Sequence, residues 1–133
     1  MNVPMVAFYK AHHIAPVQQD MSDFDLHFQR RASLYRHLGI LPNFLKGRSV
    51  LEIGPGLGCN ALYTASLEPA RYVLLEPNPA SIEGIVSLFA GHPHLNARIE
   101  IEPRYLEEYT PEQPFDFVFC EGVLTGAEDP RGA

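Results

Sequence analysis

The chain has 133 residues, 46% hydrophobic and 20% charged, the balance of one soluble globular domain rather than a two-domain, disordered or fibrous chain. Ten Lys and Arg against sixteen Asp and Glu leave a net charge of −6, which argues against nucleic acid as a partner gripped through its phosphates. The two cysteines, Cys59 and Cys120, lie in apolar stretches and read as free thiols of a reducing, cytoplasmic compartment, while no eighteen-residue apolar run or basic-then-apolar start points to a membrane or to secretion.

Residues 1–21 read as an N-terminal clasp or lid, with Pro4 and Pro16 as breakers around Val6, Phe8, Tyr9 and Ile14. Ser22 followed by Asp25 resembles a helix N-cap with an acidic third position. Phe24, Phe28, Ala32, Tyr35 and Leu38 then recur at helical spacing up to Gly39, which predicts a helix over 23–38. On its other face His27, Gln29, Arg30, Arg31 and Arg36 read as a solvated charged surface.

The run Ser49 to Ile53 is apolar apart from Glu52, too short for a helix, and ends in Gly54, Gly56 and Gly58: a buried strand entering a tight turn. Residues 60–67 form the helix that leaves the turn, and 72–75 repeat the strand pattern up to Glu76-Pro77-Asn78-Pro79. Pro79 suits a first helical turn, and Ile82, Ile85, Val86 and Phe89 continue that helix until Gly91. Residues 97–101 alternate as a third strand, 105–109 make a short helical turn, and 115–120 form a fourth strand. Strands alternating with helices imply parallel pairing and right-handed crossovers. The expected fold is therefore α/β, an open, mostly parallel Rossmann-like sheet with flanking helices, spanning 22–133 as a cofactor-binding domain.

In such sheets a ligand sits at the carboxyl ends of the strands, where a glycine-rich turn lets backbone approach it closely. Glu52-Ile53-Gly54-Pro55-Gly56-Leu57-Gly58 is such a turn, and Glu76, ending the second strand, can accept both hydrogen bonds of a ribose diol. Together they specify a nucleoside-bearing cofactor. A nicotinamide dinucleotide fits poorly, because its fingerprint puts the third glycine three residues after the second, whereas Gly58 comes early and position 59 is Cys. Glu52 beside the turn also disfavours a pyrophosphate and suits a cationic sulfonium.

The sequence here resembles the class I S-adenosylmethionine-dependent methyltransferases, whose acidic-x-Gly-x-Gly-x-Gly motif after an apolar strand is matched by Glu52, Gly54, Gly56 and Gly58. The resemblance implies that Gly54, Pro55, Gly56 and Gly58 pass around the amino-acid part of S-adenosylmethionine, that Glu76 binds the ribose hydroxyls, and that Pro77 borders the adenine. Tyr105 and Leu106 stand in the stretch where the family's acidic adenine contact occurs. Phe115 to Gly122 corresponds to the family's fourth strand, with Cys120, Glu121 and Gly122 facing the cofactor, and Leu124 to Pro130 to the loop after it. The resemblance covers residues 22–130, stops before the family's last three strands, and so implies a sheet truncated after the fourth strand, of partial order 3-2-1-4. That leaves an apolar edge through which a homodimer could form.

The function implied is methyl transfer from S-adenosylmethionine to a small molecule. The alternatives are a cofactor-binding fragment without turnover and a nicotinamide-binding Rossmann protein. No catalytic residue is legible, since methyl transfer from a sulfonium rests mainly on alignment. Cys59 reads as a small buried filler. His12-His13 and His92-Pro93-His94 lack a third ligand at metal-binding spacing, so no metal is assigned. Glu107 and Glu108 are adjacent, diverging carboxylates, and Tyr9 packs the N-terminal segment.

Overall fold

A computed structural model describes residues 22–121. The expected clasp over 1–21, the His12-His13 pair, and Gly122 with the loop after it lie outside the described residues. In chain order the elements are α1 (Phe24–His37), α2 (Pro42–Leu45), β1 (Ser49–Ile53), α3 (Cys59–Ser66), β2 (Arg71–Leu75), α4 (Pro79–Ala90), α5 (Pro93–Asn96), β3 (Ile99–Glu102), a single 3₁₀ turn (Leu106–Glu108) and β4 (Phe117–Phe119). The four strands form one all-parallel sheet of order β3-β2-β1-β4, the order and the α/β class expected from the sequence.

The register places Val50 opposite Tyr72 and Phe117, and Tyr72 opposite Ile99. Alternation along each strand then sorts side chains onto two faces. Val50, Tyr72 and Leu74 pack beneath the helices with Tyr35, Leu62, Ile85, Phe89 and Leu95, while Leu51, Ile53, Val73 and Leu75 pack against Leu106, Tyr109, Phe115 and Cys120. Each crossover along β1-β2-β3 steps in the same direction, so right-handedness puts α3 and α4 on one face. The return from β3 to β4 reverses direction and covers the other face with the segment around the 3₁₀ turn. β4 is short, and Val118 on it is more than half exposed at 56%, the residue on which the expected self-association would rest. Its start is pinned to β1, because Asp116 accepts hydrogen bonds from the Ser49 backbone N–H at 2.9 Å and from its hydroxyl at 3.2 Å.

Three local expectations are corrected. The N-cap of α1 is Asp23, whose carboxylate accepts from the Leu26 N–H at 2.9 Å, and Ser22 stands one residue outside. Leu38 is exposed at the helix end rather than buried. His27 and Arg31, read as part of a solvated face, are buried, so the helix turns a polar stripe inward. The two four-residue helices α2 and α5 were not anticipated, since each is a single turn opened by a proline, too short to show periodicity. No helix among the described residues is long and apolar enough to cross a membrane.

Just beyond α3, Glu68 has φ +61°, a left-handed conformation that favours glycine, and its carboxylate pairs with Lys46 at 3.4 Å and Arg98 at 3.8 Å. The pairs are exposed and contribute little, whereas the strain costs about 1 kcal/mol. Glu68→Gly is therefore expected to raise stability by about 0.5–1 kcal/mol, read as a higher thermal midpoint. A lower midpoint would mean that the ion pairs outweigh the strain.

Candidate functional site

Parallel strands bring their carboxyl ends to one side of the sheet, and the order reverses between β1 and β4, which makes that gap the natural ligand crevice. The turn leaving β1 occupies it. Gly54, Gly56 and Gly58 have φ of 67°, 63° and 86°, so the backbone coils through left-handed conformations that branched residues resist. The Gly54 N–H donates to the Leu75 carbonyl at 2.9 Å and the Gly58 N–H to the Pro55 carbonyl at 3.2 Å, which ties the turn to β2 and to itself. Gly58 caps α3, and a Cβ there would lie 3.1 Å from Ile85 Cγ1, so close packing against α4 also requires glycine.

Glu76 follows β2 directly and is buried. Its carboxylate accepts from the Asn78 N–H at 2.9 Å and also from the backbone N–H of Gly56, so it faces the glycine turn. Burial pushes its pKa up to about 7, against those two hydrogen bonds, which lower it. Pro77 is half-buried beside it, and Asn78 caps α4 by accepting from the Ala80 N–H at 3.0 Å. Tyr105 and Leu106, after β3, are half-buried on the same side of the sheet, with Leu106 packed against the Leu51, Ile53, Val73 and Leu75 cluster.

Glu52 sits differently. Its side chain points into the helix-covered face, is 3% exposed, and accepts a hydrogen bond from Tyr72 Oη at 2.6 Å. Burial raises its pKa to about 7, opposed by the Tyr72 hydrogen bond and reinforced by the Glu121 charge. The carboxyl therefore lies below the turn and is only partly ionised at neutral pH, which softens the fixed negative charge expected there. Burial likewise raises the Cys59 thiol, in keeping with a filler.

Around Glu52 the structure assembles polar side chains that sequence reasoning missed. Arg31 on α1 makes two hydrogen bonds to Glu121, at 2.6 and 3.1 Å, and reaches Tyr35 Oη at 3.5 Å. Tyr35 Oη and Thr64 Oγ1 share a hydrogen bond at 2.5 Å. One turn before Arg31, His27 Nε2 donates to the Cys59 carbonyl at 2.8 Å. The legible signal was the His27, Arg31, Tyr35 spacing, a second stripe on α1 overshadowed by the phenylalanines. His92, a tempting metal ligand, stacks on Phe24 with ring centroids 5.2 Å apart. Glu107 and Glu108 are exposed on the 3₁₀ turn.

No protein-family model matches the chain, and no curated protein matches it. Solved structures do. Phosphoethanolamine N-methyltransferase 1 of Haemonchus contortus, in complex with phosphoethanolamine and S-adenosylhomocysteine, is 20% identical with a TM-score of 0.59 over 87% of this chain and 23% of that one. The Trypanosoma brucei PRMT1 enzyme-prozyme complex with AdoHcy is 16% identical with a TM-score of 0.58, over 87% of this chain and 33% of that one. Coclaurine N-methyltransferase bound to N-methylheliamine and SAH is 18% identical with a TM-score of 0.57, over 80% and 29%. The chain spans about a quarter to a third of the length of these structures. The fold is that of the class I S-adenosylmethionine-dependent methyltransferases, the one the glycine motif implied.

Proposed function

We propose that this chain binds S-adenosylmethionine at the glycine turn and serves methyl transfer to a small-molecule acceptor. The observation that carries the reading is the joining of Glu76 to Gly56: a buried carboxylate at the end of β2, in hydrogen-bond contact with the turn, is where a ribose diol meets a backbone cradle. Gly54, Pro55, Gly56 and Gly58 give the amino-acid end a close backbone approach, and Pro77, Tyr105 and Leu106 offer apolar surface to the adenine. When bound, the cofactor would supply an electrophilic methyl group on its sulfonium. The residues of this chain orient it and exclude water, which suffices where alignment dominates. Acidic balance disfavours a polyanionic acceptor, and two of the neighbouring structures hold small organic molecules, phosphoethanolamine and N-methylheliamine, which supports a small acceptor.

Calorimetric titration with S-adenosylhomocysteine, with NAD for comparison, tests the reading. Micromolar affinity for the first alone is expected, and heat with NAD alone or with neither would refute it. Glu76→Ala should weaken binding by about 1–3 kcal/mol through lost charge-assisted hydrogen bonds, and unchanged affinity would remove the ribose assignment. Conversion of S-adenosylmethionine to S-adenosylhomocysteine with an acceptor then separates methyl transfer from cofactor binding alone.

A further inference from the structure

His27, Arg31 and Tyr35 form a buried polar stripe on α1 at i, i+4 and i+8, and each contacts a different part of the frame around the glycine turn. His27 meets Cys59 at the start of α3, Tyr35 meets Thr64 in its middle, and Arg31 reaches Glu121 just after β4. An ion pair with one end in solvent contributes little net stability, so its use here is geometric. The pair also runs from interior to rim: the Arg31 side chain is 8% exposed and that of Glu121 40%. Burial lowers the affinity of Arg31 for its proton, but Glu121 more than offsets this, and the guanidinium is held above its ordinary pKa. Its Nε is buried without a hydrogen-bond partner among the described residues.

We propose that Arg31 and Glu121 form a latch that fixes the chain leaving β4 against α1, and that both are positioning residues for the amino-acid end of the cofactor pocket. This rests on the reading of the glycine turn as an S-adenosylmethionine site. The guanidinium fork meets the carboxylate through two hydrogen bonds, one to each oxygen, a geometry that a lysine does not reproduce. Through Tyr35 and His27 the same helix holds α3, so the latch sets β4 and the turn relative to each other.

The test uses Glu121→Gln and Arg31→Lys, singly and combined. Each is titrated with S-adenosylhomocysteine and with 5′-methylthioadenosine, which keeps the nucleoside and thioether but lacks the amino-acid end. Amide hydrogen exchange of residues 54–59 is followed without ligand. Each single variant should bind S-adenosylhomocysteine about ten-fold more weakly and the thioadenosine within about two-fold of the parent chain. The double variant should be no worse than the weaker single, because both changes open one latch, and the turn amides should exchange faster. Equal losses on both ligands would mark a merely structural pair and overturn the proposal, as would no loss on the first ligand with unchanged exchange. If the parent chain binds neither ligand, the cofactor reading fails on its own. Exchange then decides the latch: faster exchange in the variants upholds it and unchanged exchange overturns it.

Discussion

Gly56→Val should abolish S-adenosylhomocysteine binding while leaving the chain folded. Position 56 has φ +63°, and a β-branched residue there must either bear the strain or flip the turn. The left-handed conformation costs a non-glycine residue about 1–2 kcal/mol, enough to favour a rearranged turn. Rearrangement carries away the Gly56 N–H that Glu76 accepts, and the branched Cβ stands where the ligand needs bare backbone. The effect of backbone strain alone is separated by Gly39→Val. Gly39 has φ +79° and nothing within 4 Å of an added Cβ, but lies at the end of α1, remote from the turn. It should lower the thermal midpoint and keep the affinity. Calorimetry on both variants decides: retained binding by Gly56→Val means that the turn is not the site.

The sheet was legible because its signals are local and redundant. Val50 to Ile53, apart from Glu52, and Tyr72 to Leu75 are apolar runs, as strands buried on both faces require, and the glycines and Glu76 mark where the two end. Glu76 and the turn were found for the same reason: one motif and one spacing determine where both lie. What failed to show is polar burial. Arg31 is buried because Glu121 comes to meet it from a position 90 residues away, and nothing local to α1 announces that partner. Glu52 was placed beside the turn by its position in the motif. Strand alternation instead sends its side chain to the face of Val50 and Tyr72, where Tyr72 Oη reaches it. Periodicity reports which positions face inward on average. It does not report which charged side chain finds an opposite charge there.

Glu52→Gln should remove much of a decline in stability that the ligand-free chain shows between about pH 5 and pH 8. The carboxyl of Glu52 titrates near 7 in the folded chain against 4.5 as its ordinary value, because burial disfavours the charged form more than the Tyr72 hydrogen bond favours it. The folded chain therefore binds more protons than the unfolded one across that interval. The stability this confers is fully present below about pH 4.5 and lost as pH rises through 7. It amounts to on the order of 3 kcal/mol, and Glu76, also raised to about 7, acts in the same direction. Asp116 runs the opposite way, its pKa lowered by the Ser49 backbone, but it titrates below this window. A glutamine keeps an acceptor for Tyr72 and carries no charge. Thermal midpoints of variant and parent should thus agree near pH 5 and diverge by pH 8, with the variant more stable, and Glu76→Gln should remove the remaining slope. Identical pH slopes in Glu52→Gln and the parent chain would show that Glu52 is ionised throughout. On the reading of the turn as an S-adenosylmethionine site, the positive charge of a ligand above Glu52 would favour its ionised form, as Arg31 already does. The divergence between variant and parent should therefore shrink when S-adenosylmethionine, with its sulfonium, is added at pH 8.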